Sequence, residues 1–364
     1  MQKKFLFAVG DASGARMFVP VINNLIAFGD CVEVLADADG IAYQVLSSEK
    51  VAYTTCPGEM HNLDQKIQES SVVVVNTCAS AVRVGKNVAE AARGKRPLVF
   101  SADGFYNHGF KWQAESADYW FAINEAHASV IRKSKHLPEN QVRVTGQPAF
   151  DSCLHLIPHK GWIRNEMRRR LGLSDALMVV WFSQGMPDVI SEDVWMVEMA
   201  IQTLGQLAPG SFFLPRIHPK LDKIRWGLVN EIQSAIQRKC EESCVRLVMS
   251  NGIPAEHICL AADAILSITA TDDIKNWIMG GPLVIHILGP ETQKWFETDV
   301  RLTRPYLLEL ESGEALAVYE PEDWSRVLVQ AFDPSTVVSL RKNWTPPTGP
   351  STMNFVKTLY EVSV

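Results

Sequence analysis

Phe5-Leu6-Phe7-Ala8-Val9-Gly10-Asp11-Ala12-Ser13-Gly14 sets five apolar residues in a row against five that are small or polar. An apolar run of that length, stopped by glycine and an acid, reads as a fully buried strand entering a tight turn. The period then changes. From residue 16 to residue 28 the apolar positions are Phe18, Val21, Ile22, Leu25 and Ile26, the spacing of one helix face. Strand, turn and helix within thirty residues make the first half of a βαβ unit, and the alternation continues. Strand-like runs follow at residues 32–35, 72–75, 98–100, 119–123 and 142–144, with a helical stretch at 84–93. Such alternation predicts a parallel sheet covered by helices on both faces.

After Gly146-Gln147-Pro148 the pattern restarts. A linker-like stretch carries Pro158, Gly161 and Gly172, and strand signals return at residues 177–182, 212–214, 246–249, 264–268 and 283–287. Trp344-Thr-Pro-Pro-Thr-Gly-Pro350 cannot be helical, whereas residues 353–362 are apolar at Phe355, Val356, Leu359 and Tyr360 and read as a last helix. The expected architecture is α/β, with two Rossmann-like lobes facing across a cleft. Residues 1–155 form the first lobe and 156–335 the second, and 336–364 pack back toward the first. In open α/β sheets ligands bind outside the carboxyl ends of the strands.

Composition narrows the function classes. Of 364 residues, 47% are hydrophobic and 21% charged, as in ordinary globular proteins, and a chain of this length suits about two domains. With 41 acidic against 35 basic residues the net charge is −6, which gives no basic field for a nucleic-acid backbone. Arg168-Arg169-Arg170 is the one cationic run that leaves peripheral membrane contact open. On a helix such a run more often marks a solvated face. No apolar run approaches membrane-span length. The seven cysteines form no CxxC pair and no zinc spacing. The opening Met1-Gln-Lys-Lys lacks a signal-peptide pattern, so the expected setting is cytoplasmic, with reduced thiols.

Several strand-end segments carry residues suited to chemistry. Gly10, Ser13 and Gly14 let a backbone come close to a ligand where free helix amides are exposed, and Asp11 or Ser13 equally suits an N-cap. The spacing is not the dinucleotide fingerprint, and no P-loop lysine follows. Ser267-Ile-Thr269-Ala270-Thr271-Asp272-Asp273 ends a strand and begins a helix, an arrangement suited to a diphosphate. Asp272 or Asp273 could then accept from a ribose, or simply occupy the first helical turn. Pro215-Arg216-Ile-His218-Pro219 places a guanidinium and an imidazole on one side of an extended segment, where they could meet a phosphate. Asp103 and His108 follow another strand and are candidates for a general base. Ser183-Gln-Gly185 offers backbone amides at the same edge of the second lobe, as does Asn251-Gly-Ile253.

Three of these stretches together resemble the GT-B superfamily of nucleotide-sugar enzymes. The opening Ala8-Val-Gly-Asp-Ala-Ser-Gly14 is similar to the start of lipid-A-disaccharide synthases. Val144-Thr-Gly-Gln-Pro148 with Asp151 resembles the linker motif of UDP-N-acetylglucosamine 2-epimerases. The segment from Asp263 through Asp273, followed by Gly280-Gly-Pro-Leu-Val, resembles the superfamily's phosphate loop and next strand. The chain departs from the epimerases at Ser101-Ala-Asp103-Gly104 and at Ser183-Gln-Gly-Met, where they carry Glu-Ala-Gly and Arg-Arg-Glu-Asn.

The resemblance implies a glycosyltransferase that uses a nucleotide sugar as substrate and needs no bound cofactor or metal. Thr269, Ala270 and Thr271 would hold the diphosphate, with Ser183 and Gly185 beside them and Asp273 or Asp272 near the ribose. Arg216 and His218 would neutralise the leaving group. A glycan or lipid acceptor would enter past Gly10, Ser13 and Gly14, with Asp103 or His108 as base. An epimerase-like isomerase or hydrolase, and a non-catalytic binding module, stand as alternatives. A homodimer stays open.

Overall fold

The structure, a computed structural model, describes residues 2–38, 41–56, 62–77, 82–105, 117–173, 175–218, 220–250, 252–302, 304–342 and 349–363. The chain divides into two compact units. The first holds Met1–Ser152, Asp299–Leu302 and Thr348–Val364; the second holds Cys153–Thr298 and Thr303–Pro347.

The N-terminal unit is built on seven parallel strands: β1 (Lys4–Val9), β2 (Cys31–Asp37), β3 (Thr54–Cys56), β4 (Val72–Thr77), β5 (Leu98–Ala102), β6 (Tyr119–Ala122) and β7 (Val142–Val144). Their spatial order is β3-β2-β1-β4-β5-β6-β7, so the winding direction reverses between β1 and β4. All six residues of β4 are buried, as expected of a strand covered on both faces. One face packs Phe5, Phe7 and Phe18 together with Phe355 from the last helix, Ser351–Val362. The Phe355 ring meets Phe121 edge-on at 4.9 Å and Phe18 at 6.1 Å. Asp151 fixes this helix by accepting from the backbone N–H groups of Ser351 and Thr352, at 2.7 and 2.8 Å, and from the Thr352 hydroxyl. The acid of the Val-Thr-Gly-Gln-Pro linker motif thus satisfies the first N–H groups of the last helix from outside it, where the N-cap position holds Pro350.

The C-terminal unit holds six parallel strands: β8 (Met178–Phe182), β9 (Phe212–Arg216), β10 (Arg246–Leu247), β11 (Ala264–Ser267), β12 (Leu283–Ile287) and β13 (Leu316–Val318). Their order is β10-β9-β8-β11-β12-β13, and the winding reverses between β8 and β11. Register sets Arg216, Phe182, Ser267 and His286 level across four neighbouring strands at the carboxyl edge.

The linker-like stretch contains a regular helix, Lys160–Arg170. It is fastened by Arg164 and Arg168, which pair with Asp263 and donate to the Ala261 carbonyl at the end of the Ala255–Ala261 helix. Within the Arg168–Arg170 run Arg168 is folded inward, while Arg169 and Arg170 both bond Glu166 and stay exposed, as on the solvated helix face such a run more often marks. Among the described residues no helix is long and apolar enough to cross a membrane, and no His, Cys, Asp and Glu cluster could hold a metal.

Candidate functional site

Both reversal points carry polar residues at the strand ends, so each unit has its own candidate site. In the N-terminal unit the loop after β1 runs directly into the helix Ala12–Ala27. Asp11 is its N-cap and accepts from the Gly14 N–H at 2.8 Å. Asn76, near the end of β4, bridges the reversal point. Its Oδ1 accepts from the Gly10 N–H at 3.1 Å, and its Nδ2 donates to the Asp11 carboxylate at 3.3 Å. A Cβ on Gly14 would overlap the Asn76 side chain, so glycine is required there for close approach and not for backbone freedom.

Asp103, just past β5, completes the group. It is 4% exposed. Burial pushes its carboxyl well above the usual range, the neighbouring Asp11 pushes it further, and a hydrogen bond with Ser13 opposes both. Gln147 donates to the Asp103 carbonyl at 3.2 Å, which ties this loop to the linker motif. Gly10, Ser13, Gly14 and Asp103 therefore come together as the sequence suggested. Asp11, which the sequence offered only as a cap, and Asn76, which it did not single out, join them as partners. His108 lies outside the described residues.

In the C-terminal unit the loop after β8 and the segment after β9 lock onto each other. The Ser183 hydroxyl accepts from the His218 N–H at 2.7 Å, and the His218 ring lies against Gly185, where a Cβ would come 2.8 Å from Nδ1. Nδ1 accepts from the Lys220 N–H at 3.1 Å, which leaves the ring proton of the neutral form on Nε2. Burial, and then Lys220, lower the His218 pKa, so the imidazole is a neutral donor and not the cation expected of it. Arg216 belongs to β9 itself. Its Nη1 donates to the Ser250 hydroxyl and the Ile253 carbonyl at 3.1 and 3.0 Å, so the guanidinium also holds the turn after β10.

The segment after β11 differs most from expectation. Thr269 is buried, and Thr271, at the start of the helix Thr271–Met279, is exposed. Asp272 pairs with Lys275 at 3.0 Å, and Lys275 pairs in turn with Glu256. Asp273 is 3% exposed and turns back into the unit to accept from the Ala270 N–H, so it offers nothing to a ribose. Asp193, in the first turn of the helix Ile190–Leu207, is likewise buried and accepts from the Trp181 indole and the Gln184 N–H. Burial raises the Asp193 and Asp273 carboxyls to about 7. Glu192 accepts from the Glu291 and Thr292 N–H groups at the start of the helix Pro290–Trp295. A carboxyl thus stands behind each of three helix N-termini, and for Asp273 this is the first-turn alternative that the sequence left open.

With this geometry in view, the likeness to known structures is specific at the level of fold. A UDP-GlcNAc 2-epimerase from Neisseria meningitidis, bound to UDP-GlcNAc, matches with a TM-score of 0.69 at 16% identity over 98% of this chain and 100% of its own. The likeness shows the fold alone, the GT-B arrangement of two parallel α/β sheets. MnaA of S. aureus, solved with UDP, matches at 0.67 and 14% identity over 98% and 97% of the two chains. A glycosyltransferase from Rickettsia africae matches at 0.60 and 11% identity over 100% and 98%. No family model matches the sequence, and no curated protein does.

Proposed function

We propose that this chain is a glycosyltransferase that moves a sugar from a nucleotide-activated donor to a glycan or lipid hydroxyl. The observation that carries the reading is the buried Asp103 carboxyl beside Asp11 at the reversal point of the first sheet. A carboxyl desolvated next to a second one lowers stability, and such arrangements cluster where chemistry is done. Burial and the neighbouring Asp11 raise the proton affinity of the Asp103 carboxylate, the direction that strengthens it as a base. In the step proposed, the acceptor oxygen bonds to the anomeric carbon as the bond from that carbon to the diphosphate breaks. The hydroxyl proton passes to Asp103, and the nucleoside diphosphate leaves.

The donor is assigned to the C-terminal unit. Amides of the Ser183–Gly185 loop, the Nε2–H of His218, the Arg216 guanidinium and the hydroxyls of Thr269 and Thr271 supply neutral donors and one cation for a diphosphate. The nucleotide sugar is a substrate and not a resident group.

A second reading, an epimerase or hydrolase acting on the nucleotide sugar itself, is favoured by one feature. Asp103 in its neutral form can donate a proton while Asp11 accepts one. Product analysis separates the two. Nucleotide released only when an acceptor is present supports transfer, whereas sugar interconversion or hydrolysis without acceptor supports the second reading. Thermal-shift titration with a panel of nucleotide sugars identifies the donor first. If Arg216→Ala leaves the shift intact, the phosphate assignment fails.

A further inference from the structure

Asp273 sits in the first turn of its helix yet is turned away from solvent. Its Oδ2 accepts from the Ser267 hydroxyl and, at 2.7 Å, from the Ala270 N–H. These two bonds join the end of β11, the loop of residues 268–270 and the helix into one unit. Its Oδ1 is buried without a hydrogen-bond partner, and so is Oε2 of Glu309, whose charge bears on Asp273 from the short helix Leu308–Glu311. On the neighbouring strand His286 stands level with Ser267, with Nδ1 bonded to the Ile268 carbonyl and Nε2 buried and unpartnered. Three buried polar groups therefore lie behind the loop that carries Thr269.

We propose that Asp273 is a positioning residue for the nucleotide, holding the 268–270 loop from behind so that Thr269 and Thr271 meet the diphosphate. The inference rests on the assignment of the donor to this unit and explains why an acid stands where an anion is expected to bind. As a neutral acid, with its proton on Oδ1, Asp273 keeps both hydrogen bonds to the loop and adds no charge. As a carboxylate it keeps the same bonds but places a negative charge behind the diphosphate, in a site where water screens little.

The groups that bear on this equilibrium are Glu309, Asp272 on the same helix and Cys259 on the helix before it. Lys275 and Glu256 enter through Asp272, and His286 stands beside Ser267. Burial, opposed by the two hydrogen bonds and reinforced by Glu309 and Asp272, holds Asp273 at about 7. Diphosphate binding should therefore favour the protonated form and weaken as the pH rises through neutrality.

The test is UDP titration of the full-length chain by calorimetry at pH 6 and pH 8.5. Wild type should lose about tenfold in affinity between the two. Asp273→Asn, an isostere of the neutral acid, should bind at pH 8.5 nearly as tightly as wild type does at pH 6, with the drop reduced to about threefold or less. UDP's own ionisation near pH 6 is common to both proteins and cancels in the comparison. Asp273→Ala releases the loop and should weaken UDP at both pH values. Equal drops in wild type and Asp273→Asn overturn the proposal and leave the donor assignment standing. No UDP binding by wild type at either pH overturns both.

Discussion

At the reversal point of the N-terminal sheet, two carboxyls stand side by side with a hydroxyl, Ser13, and an amide, Asn76, for company. At that of the C-terminal sheet the carboxyls of Asp193 and Asp273 lie behind the loops, and the loops themselves carry Ser183, a neutral His218, Thr269 and Thr271. The scaffold is the same, parallel strands feeding helices, and Asp11 and Asp193 both follow the strand at which the winding starts, whereas Asp103 follows β5 and Asp273 follows β11. What differs is the side of the loop on which they fall. Acids kept next to one another raise proton affinity and suit proton transfer, whereas acids withdrawn behind backbone amides leave those loops open to an anion.

The sharpest way to break this contrast is Asp103→Asn. Loss of the base should lower turnover by about 10²–10⁴-fold, while removing a desolvated carboxyl should leave the melting temperature unchanged or higher. Full turnover in the variant would remove the N-terminal site from the chemistry. Next in size is Phe355→Ala. Its ring closes the core between Phe18 and Phe121, and its loss should cost about 3–5 kcal/mol. Scanning calorimetry should show the N-terminal unit melting earlier and the C-terminal unit unmoved. If both transitions shift together, the units do not fold as separate cooperative bodies.

A smaller pair of substitutions sets the two sites directly against each other. Gly185→Ala pushes on the His218 ring and should weaken UDP binding about tenfold with little effect on the Asp103 group. Gly14→Ala pushes on Asn76, which holds both Gly10 and Asp11, and should lower turnover by a similar factor while UDP binding stays intact. Calorimetry and initial rates on both variants read the two effects apart. A crossed result, with Gly14→Ala losing UDP, would exchange the roles assigned to the units.

Much of the fold is legible in the sequence because buried parallel strands are written as apolar runs, such as Val72-Val-Val-Val75 and Val179-Val-Trp-Phe182. The strands that escape are three-residue edge strands: β3, Thr54–Cys56, is largely polar and exposed, and β13, Leu316–Val318, is too short to stand out from its flanks. The start of the helix Lys160–Arg170 is hidden by Pro158 and Gly161, since its place is set by Arg164 and Arg168 reaching a distant Asp263. Site residues follow the same rule. Asp103, Ser13, Gly14 and His218 stand out because they lie within a few residues of a strand end. The burial of Asp193, Asp273 and Glu309 depends on elements far apart in the chain, and an acid in a first helical turn looks the same in sequence whether it faces water or the core.

That hidden burial has a consequence for stability, the smallest effect and the most diagnostic of the C-terminal unit. Asp193, Asp273 and Glu309 keep their protons up to about pH 7 when folded, against 3.8, 3.8 and 4.5 for free side chains. Between about pH 4 and 7 the folded chain thus holds the extra protons. The stability these groups contribute is fully present below that window and lost as the pH rises through it. His286 opposes them: burial lowers it to about 4 from 6.5, so its contribution is present above 6.5 and lost as the pH falls toward 4. His218, also lowered by burial, acts in the same sense as His286, yet three acids outweigh two histidines, and the C-terminal transition should fall by several degrees from pH 5 to pH 8. Below pH 4 the sign reverses, because Glu166, held at about 2 by Arg169 and Arg170, then takes up its proton. Asp273→Asn should remove one share of the decline between pH 5 and pH 8. An unchanged slope in that variant would mean that Asp273 is already ionised in the folded chain at pH 5, and that burial does not hold its proton.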